Sequence, residues 1–205
     1  MASTLRDLLI QRAARLQGQP ALTTQDWGTL SYAQLRNRVE GVALGLLSRE
    51  VPEALSSTTG TPWDWAAELA VGASGLRWDG ARQAVPSDAF GGSRFNHEEG
   101  RGPYHLREGV VQPSTLFMAG LNHGELMLRL RRLNGQLGWD HNTRIELPLA
   151  QLGEAPLRAA LWSALYAGGH AVLGSAVPAP KGFLARFQAP PSNWDAEPFL
   201  AFWND

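Results

Sequence analysis

The stretch from Leu121 to Gly174 decides the fold of this chain: LNHGELMLRLRRLNGQLGWDHNTRIELPLAQLGEAPLRAALWSALYAGGHAVLG. Its apolar periodicity predicts a helix, a strand, a second helix and a second strand, in that order. Asn122 and Glu125 predict a capping box at the start of the first helix. Pro148 ends the first strand, and Pro156 suits the first turn of the second helix. A strand, a helix and a strand of this length predict a βαβ unit with parallel pairing.

The first fifty residues predict a helix, a hairpin and another helix. Thr4 and Asp7 predict a capping box for an amphipathic helix that ends near Gly18 and Pro20. Two short extended runs, Ala-Leu-Thr-Thr and Thr-Leu-Ser, flank a Gln-Asp-Trp-Gly turn, which indicates a hairpin. Residues 31–34, Ser-Tyr-Ala-Gln, then cap a second helix with one apolar stripe.

The middle and the end of the chain are less regular. We expect a strand at 54–57, a helix over 63–71 and an irregular insert over about 76–103 that holds at most one brief strand. The predicted domain therefore spans residues 1–174. Residues 175–205 are rich in proline and aromatic residues, and we expect this tail to pack on the same domain as a cover for its sheet.

These elements resemble the N-terminal domain of the AMP-forming acyl-CoA synthetases, which belong to the adenylate-forming ligase superfamily. The string LSYAQL at 30–35 matches the family's hairpin and second helix, and the element order over 121–174 matches its later part. The resemblance spans roughly residues 4–50 and 121–174. It implies an α/β fold, with a mostly parallel sheet flanked by helices, as in a truncated, reduced first subdomain of such a ligase.

The resemblance also shows which chemistry is missing. The family's phosphate loop, typically Ser-Gly-Thr-Thr-Gly-x-Pro-Lys, comes just before the helix that here begins after Asn122, but residues 107–116 are REGVVQPSTL. Of 18 basic residues, only Lys181 is a lysine, whereas the family uses lysines to stabilise charge on phosphate and carboxylate oxygens. No catalytic residue can be carried over.

A degenerate phosphate-loop region is the remaining candidate for nucleotide binding. Ser114, Thr115 and His123 lie at the position of the family's loop and at the helix start that follows it. Hydroxyl groups there can hydrogen-bond an anion at a helix N-terminus. The alternative is that these residues only cap or turn the chain, as such residues often do.

A second string, SSTTGTPW at 56–63, looks like the phosphate loop with one glycine removed and the lysine replaced by tryptophan. A phosphate cradle needs glycines that turn backbone N–H groups inward and a cation that meets the charge. The string has one glycine and no cation. We therefore favour a structural turn over a phosphate site.

Other patterns give weaker signals. Residues 97–99, His-Glu-Glu, with His105 lack a metal-ligand spacing, so no metal site is predicted. Residues 72–75, Gly-Ala-Ser-Gly, follow a predicted helix, unlike the serine of a hydrolase nucleophile elbow. Adjacent Asp140-His141 cannot orient one another as a triad does, and His170 is interpreted as a structural histidine. The eight tryptophans indicate either a binding surface or core packing.

Composition narrows the function classes. The net charge of −1 gives no reason to expect nucleic acid or an anionic membrane as a partner. The chain has no cysteine, which excludes disulfides and thiolate chemistry. The N-terminus shows neither a signal peptide nor a membrane span, so we expect a cytoplasmic protein.

Taken together, the sequence predicts a ligase-like protein without independent adenylating activity. We expect it to be a binding or assembly partner of an acyl- or aminoacyl-activating system. The chain would either bind another protein or form a homo-oligomer. No cofactor is expected, except ATP or AMP if activity remains. The alternative is one half of a split ligase completed by another polypeptide.

Overall fold

The computed structural model describes residues 2–48, 50–57, 59–79, 83–89, 106–149, 152–174 and 197–203. The helices in these residues are α1 (Leu5–Leu16), α2 (Tyr32–Leu47), α3 (Trp63–Ala73), α4 (His123–Leu137), α5 (Ala155–Ala167) and α6 (Glu197–Leu200). The strands are β1 (Pro20–Thr24), β2 (Gly28–Ser31), β3 (Ala54–Ser56), β4 (Arg77–Trp78), β5 (Gln83–Ala84), β6 (Leu116–Met118), β7 (Leu121–Asn122), β8 (Arg144–Leu147) and β9 (His170–Leu173). Among these residues no helix is long and apolar enough to cross a bilayer.

The strands form two sheets, ordered β2-β1-β9-β8 and β5-β3-β4-β6-β7. All neighbours are parallel except the hairpins β1–β2 and β6–β7. The α/β class with mostly parallel pairing and flanking helices is thus confirmed. The first sheet joins distant parts of the chain, because β1 pairs with β9, with Leu22 opposite Ala171. The middle strands therefore form a sheet of their own.

The predicted helix caps are mostly present. Asn122 Oδ1 accepts from the Glu125 N–H at 2.8 Å, and Glu125 Oε2 accepts from the Asn122 N–H at 2.9 Å, so the α4 capping box is complete. The α2 capping box is complete as well. At α1, Thr4 accepts from the Asp7 N–H, but the predicted reciprocal bond is absent. The reason is that the Asp7 carboxylate accepts from Ser3 Oγ and the Gly109 N–H instead.

The β6–β7 hairpin is a feature that the sequence analysis missed. Ala119 and Gly120 form its two-residue turn, with Met118 opposite Leu121. Both turn residues have positive φ, 50° and 76°, as a type I′ turn requires. An alanine is an unusual choice for this conformation, so the turn gave a weak sequence signal. The hairpin therefore lies between the expected phosphate-loop region at 107–116 and the start of α4.

The irregular insert contains more strand than predicted. We expected at most one brief strand after residue 76, but β4 and β5 both flank β3 in parallel. Each is two residues long, too short for a periodicity to show. Residues 80–82 and 90–103 of the insert lie outside the described residues.

The core includes three of the tryptophans whose role the sequence left open, Trp65, Trp78 and Trp162. Trp162 is fully buried, and its ring meets those of Trp65 and Phe117 edge-on at 5.1 and 5.7 Å. Such T-shaped contacts are favourable beyond simple burial. Core packing thus explains Trp65 and Trp162.

Two helical glycines predict opposite effects of the same substitution. A Cβ at Gly45 in α2 would lie 2.9 Å from the Ala89 carbonyl oxygen, whereas a Cβ at Gly135 in α4 would meet nothing within 4 Å. We expect Gly45→Ala to destabilise the protein by about 1–3 kcal/mol and Gly135→Ala to stabilise it by about 0.5–1 kcal/mol. Urea unfolding of both variants checks this. Equal stabilisation by both would show that α2 and Ala89 are not in close contact.

Candidate functional site

Two adjoining clefts lie beyond the carboxyl ends of strands. The first, of 410 Å³, is lined by Asp79 after β4, by the β6–β7 hairpin and by the start of α5. The second, of 260 Å³, is lined by Ser57 after β3, by Asp64 in the first turn of α3 and by Leu149 after β8. Ligands of open α/β sheets bind in this kind of crevice. These clefts are the candidate site.

Arg158 and Trp78 form the wall that the two clefts share. The Arg158 Nε donates to Glu68 Oε2 at 2.9 Å, and the Trp162 indole N–H donates to Glu68 Oε1 at 2.7 Å. Because Glu68 is 3% exposed, its carboxylate has to be paired, and both of its oxygens accept a bond. This network fixes α5 against α3.

The charged residue of this wall, Arg158, lies beside two aromatic rings. The Arg158 guanidinium lies 6.0 Å from the Trp78 ring centre and 5.5 Å from that of Trp203, within reach of cation–π attraction. Its charge is met by Glu68. The first cleft adds apolar side chains of the β6–β7 hairpin, including Phe117 and Met118. The first cleft therefore combines aromatic and apolar side chains with two arginines, Arg77 and Arg158.

The SSTTGTPW string is a turn folded around an internal carboxylate. Asp64 Oδ1 accepts from Ser57 Oγ at 2.7 Å and from the Thr59 N–H and hydroxyl, each at 2.8 Å. Asp64 Oδ2 accepts from the Gly60 N–H at 2.8 Å. The turn's inward N–H groups therefore bind the protein's own anion. This geometry supports the structural-turn interpretation.

The amides at the start of α4 are also occupied. The His123 N–H donates to the Thr115 carbonyl at 3.1 Å, and the Gly124 N–H donates to the Pro113 carbonyl at 2.8 Å. The Glu125 N–H donates to the Asn122 side chain. An anion at a helix start is held by amides that have no other acceptor. The segment that precedes α4 thus supplies acceptors where a phosphate loop would supply donors.

Of the three predicted nucleotide-binding residues, His123 differs from the others in the burial of its side chain. Ser114 is exposed and Thr115 is half-buried, whereas His123 is fully buried. The His123 ring stacks on Phe117 at 5.1 Å, and its Nδ1 accepts from the Leu5 N–H at 3.3 Å. Nucleotide binding by Ser114, Thr115 and His123 stays a prediction, and these contacts do not favour it.

Burial also sets the charge of His123. It lowers the pKa of His123 to about 4, although nearby Asp7 acts in the opposite direction. The imidazole is therefore neutral at pH 7, with its Nδ1 lone pair available to the Leu5 amide. His123 joins the start of α4 to the start of α1 and cannot supply a cation.

The other sequence candidates occupy structural positions. Ser74 caps the end of α3 and donates to the Ala70 carbonyl, unlike a nucleophile between a strand and a helix. Asp140 and His141 lie on an exposed turn. His170 is buried on β9, with Nε2 at 2.7 Å from Thr23 Oγ1. The possible ligands at 97–99 and 105, and Lys181, lie outside the described residues.

Three polar residues line or support the clefts, and none of them was a predicted site residue: Glu68, Arg158 and Asp64. Glu68 and Arg158 sit on apolar helices, and a charged residue in an apolar helix is a signal for a buried pair. Their separation in sequence is 90 residues, so the pairing itself was not readable. Asp64 follows Gly60 closely enough to indicate a carboxylate folded back onto the turn.

Comparison with known proteins shows similarity in structure rather than in sequence. The sequence matches no family model, and it matches no curated protein. A fatty acyl-adenylate ligase from L. pneumophila, solved with acyl adenylate and pyrophosphate, is similar with a TM-score of 0.63 at 11% identity, over 85% of this chain and 40% of that one.

Two more solved structures are similar to this chain. An artificially fused adenylation–PCP di-domain of a nonribosomal peptide synthetase from Klebsiella oxytoca has a TM-score of 0.62 at 14% identity, over 89% of this chain and 40% of that one. VinN in complex with L-aspartate has a TM-score of 0.62 at 12% identity, over 83% of this chain and 62% of that one. The chain thus spans between 40% and 62% of these proteins, and it shares the fold of part of the adenylate-forming ligases.

Proposed function

We propose that this chain is a ligase-like protein without independent adenylating activity. It serves in the cytoplasm as a binding or assembly partner of an acyl- or aminoacyl-activating system, either with another protein or as a homo-oligomer. The fold supports the ligase-like part of this proposal. The names of the similar proteins, a fatty acyl-adenylate ligase and an adenylation–PCP di-domain, support the choice of system.

One observation carries the proposal: both places that could cradle a phosphate hold protein acceptors. The α4 amides donate to the carbonyls of Thr115 and Pro113, and the turn at 57–60 donates to Asp64. A negatively charged phosphate brought to Asp64 would meet a like charge, and Arg158, which lines the same cleft, is already paired with Glu68. Binding of ATP in either place would require these bonds to break first.

Titration calorimetry with ATP and with a non-hydrolysable acyl-adenylate analogue tests the proposal, together with a pyrophosphate-exchange assay. We expect no heat of ATP binding up to millimolar nucleotide and no exchange above the buffer rate. The active control is a complete adenylate-forming ligase in the same assay. Micromolar ATP binding accompanied by exchange would contradict the proposal.

The split-ligase alternative is favoured by one specific observation, the partial coverage of each similar protein. A second polypeptide with the remaining part of such a ligase would then complete the site. Mixing the two chains tests this. Exchange activity that appears only in the mixture, with co-elution on size exclusion, would support the split ligase, whereas an active chain on its own would contradict both proposals.

A further inference from the structure

Arg77 and Arg158, the arginines that line the first cleft, differ in their partners. Arg158 is bonded to Glu68 at 2.9 Å. Arg77 lies on β4 directly before the buried Trp78, and its side chain is exposed. Within the described part of the chain, the Arg77 guanidinium has no ion-pair or hydrogen-bond partner. Arg77 is therefore the cation of this cleft that can pair with a negatively charged ligand.

The β6–β7 hairpin gives the same cleft an apolar wall. Leu116, Met118 and Leu121 line it, and Leu116 is 49% exposed although it is a large apolar side chain. The turn residues Ala119 and Gly120 are small, and a Cβ at Gly120 would meet nothing within 4 Å. The hairpin thus leaves open space beside an apolar surface.

Two tryptophans from distant parts of the chain complete the cleft. Trp78 and Trp203 line it, with the Arg158 guanidinium 6.0 and 5.5 Å from their ring centres. The Trp203 indole N–H donates to the Ala155 carbonyl at 2.7 Å, which fixes the edge of that ring. Aromatic side chains pair favourably with a flat ring of a ligand. The cleft therefore offers a cation next to aromatic and aliphatic surface.

The acidic residues around Arg77 limit the charge of a ligand. Asp79 lines the first cleft, and Glu68 already matches the charge of Arg158. A dianion would pair with Arg77 and would still have one charge left to face Asp79, whereas a monoanion would be matched by Arg77. The volume of 410 Å³ lies in the range of about 300–1,000 Å³ that is typical of small-molecule pockets.

We propose that the first cleft binds an aromatic monoanion, that is, a flat ring that carries one oxyanion group with a single negative charge. Arg77 pairs with the oxyanion through its planar guanidinium, and the ring lies between Trp203 and the β6–β7 hairpin. The inference goes beyond the proposed function, because it assigns a small-molecule ligand to a cleft that needs no nucleotide. Its test contains neither ATP nor a partner protein, so its failure would leave the proposed function untouched.

Titration calorimetry of the full chain with 2-naphthoate is the first test. We expect saturable binding at one site per chain, at least tenfold tighter than binding of the neutral 2-naphthalenemethanol or of acetate, which lacks the ring. Binding of 2-naphthalenesulfonate distinguishes a sulfonate from a carboxylate as the preferred oxyanion. Equal affinity for 2-naphthoate and the neutral alcohol, tighter binding of the dianion 2-naphthyl phosphate, or no saturable binding of either monoanion would overturn the proposal.

Two exposed positions allow the site to be tested without disturbing the core. Arg77→Gln removes the cation, and Arg132→Gln on the exposed face of α4 is its matched control. Leu116→Asp places a like charge in the cleft. Leu128→Asp is the control for it, because Leu128 is 48% exposed and lines neither cleft.

We expect both cleft variants to bind 2-naphthoate at least tenfold more weakly than the wild type, and both controls to bind it as the wild type does. Urea unfolding of the four variants verifies that they are folded. Wild-type affinity for 2-naphthoate in either cleft variant would overturn the proposal, since the ligand would then lie elsewhere. The same loss of affinity in a control as in its matched cleft variant would overturn it too, because the effect would follow from the change in net charge alone.

Discussion

Lowering the pH from 7 to 4 is expected to destabilise this protein by several kcal/mol through two buried histidines. Burial lowers the pKa of His123 to about 4, and burial together with Arg144 lowers the pKa of His170 to about 4. The unfolded chain takes up protons near pH 6.5. The folded state takes up these protons only near pH 4. The stabilisation from the two neutral histidines is therefore complete above pH 6.5 and is lost as the pH falls toward 4.

Chemical unfolding at pH 7, 5.5 and 4 measures this effect, which we expect to be about 3 kcal/mol for each histidine. His123→Asn keeps an acceptor for the Leu5 amide but does not titrate. We expect this variant to lose roughly half of the pH dependence, whereas His141→Asn on the exposed turn keeps all of it. The same pH dependence in His123→Asn and the wild type would show that the pKa of His123 is the same in the folded and unfolded states.

The second large effect is expected for Glu68→Ala. This substitution leaves the buried Trp162 indole N–H without an acceptor and the Arg158 guanidinium without a carboxylate. Removing one partner of a buried pair costs about 3–5 kcal/mol. Because Arg158 is 21% exposed and water can partly replace its partner, we expect the lower end, about 3 kcal/mol, by urea unfolding.

Glu68→Gln is the matched variant, since its amide oxygen can still accept from Trp162 while the charge is lost. We expect it to cost less than Glu68→Ala. A double-mutant cycle with Trp162→Phe should show that Glu68→Ala costs less when the indole N–H is already gone. If the two alanine costs are equal, Trp162 and Glu68 are not coupled, and only the Arg158–Glu68 pair joins α3 to α5.

The helix starts and the βαβ unit could be predicted because they depend on short-range sequence patterns. The capping boxes at Ser31 and Asn122 are short-range patterns, and each helix begins where its cap indicated. The βαβ unit formed by β8, α5 and β9 follows from the length of its segments and pairs in parallel as expected. These features depend on residues a few positions apart.

Long-range partners were not predictable from one sequence. Nothing near Leu22 shows that it lies beside Ala171, so the division of the strands into two sheets could not be predicted. The β6–β7 hairpin was missed because Ala119 adopts a conformation that alanine rarely adopts. Within the candidate site, the occupied amides of α4 depend on the backbone path of Pro113 and Thr115, which side-chain identity does not specify.

The turn around Asp64 has a consequence for protein engineering. Introducing a lysine near 57–60 or before α4 would add a positive charge, but the N–H groups there would still point at Asp64 and at the carbonyls of Pro113 and Thr115. A nucleotide site would need a new backbone path in two separate segments. Single substitutions therefore cannot convert this scaffold into a phosphate binder, and a designer would have to rebuild both loops together.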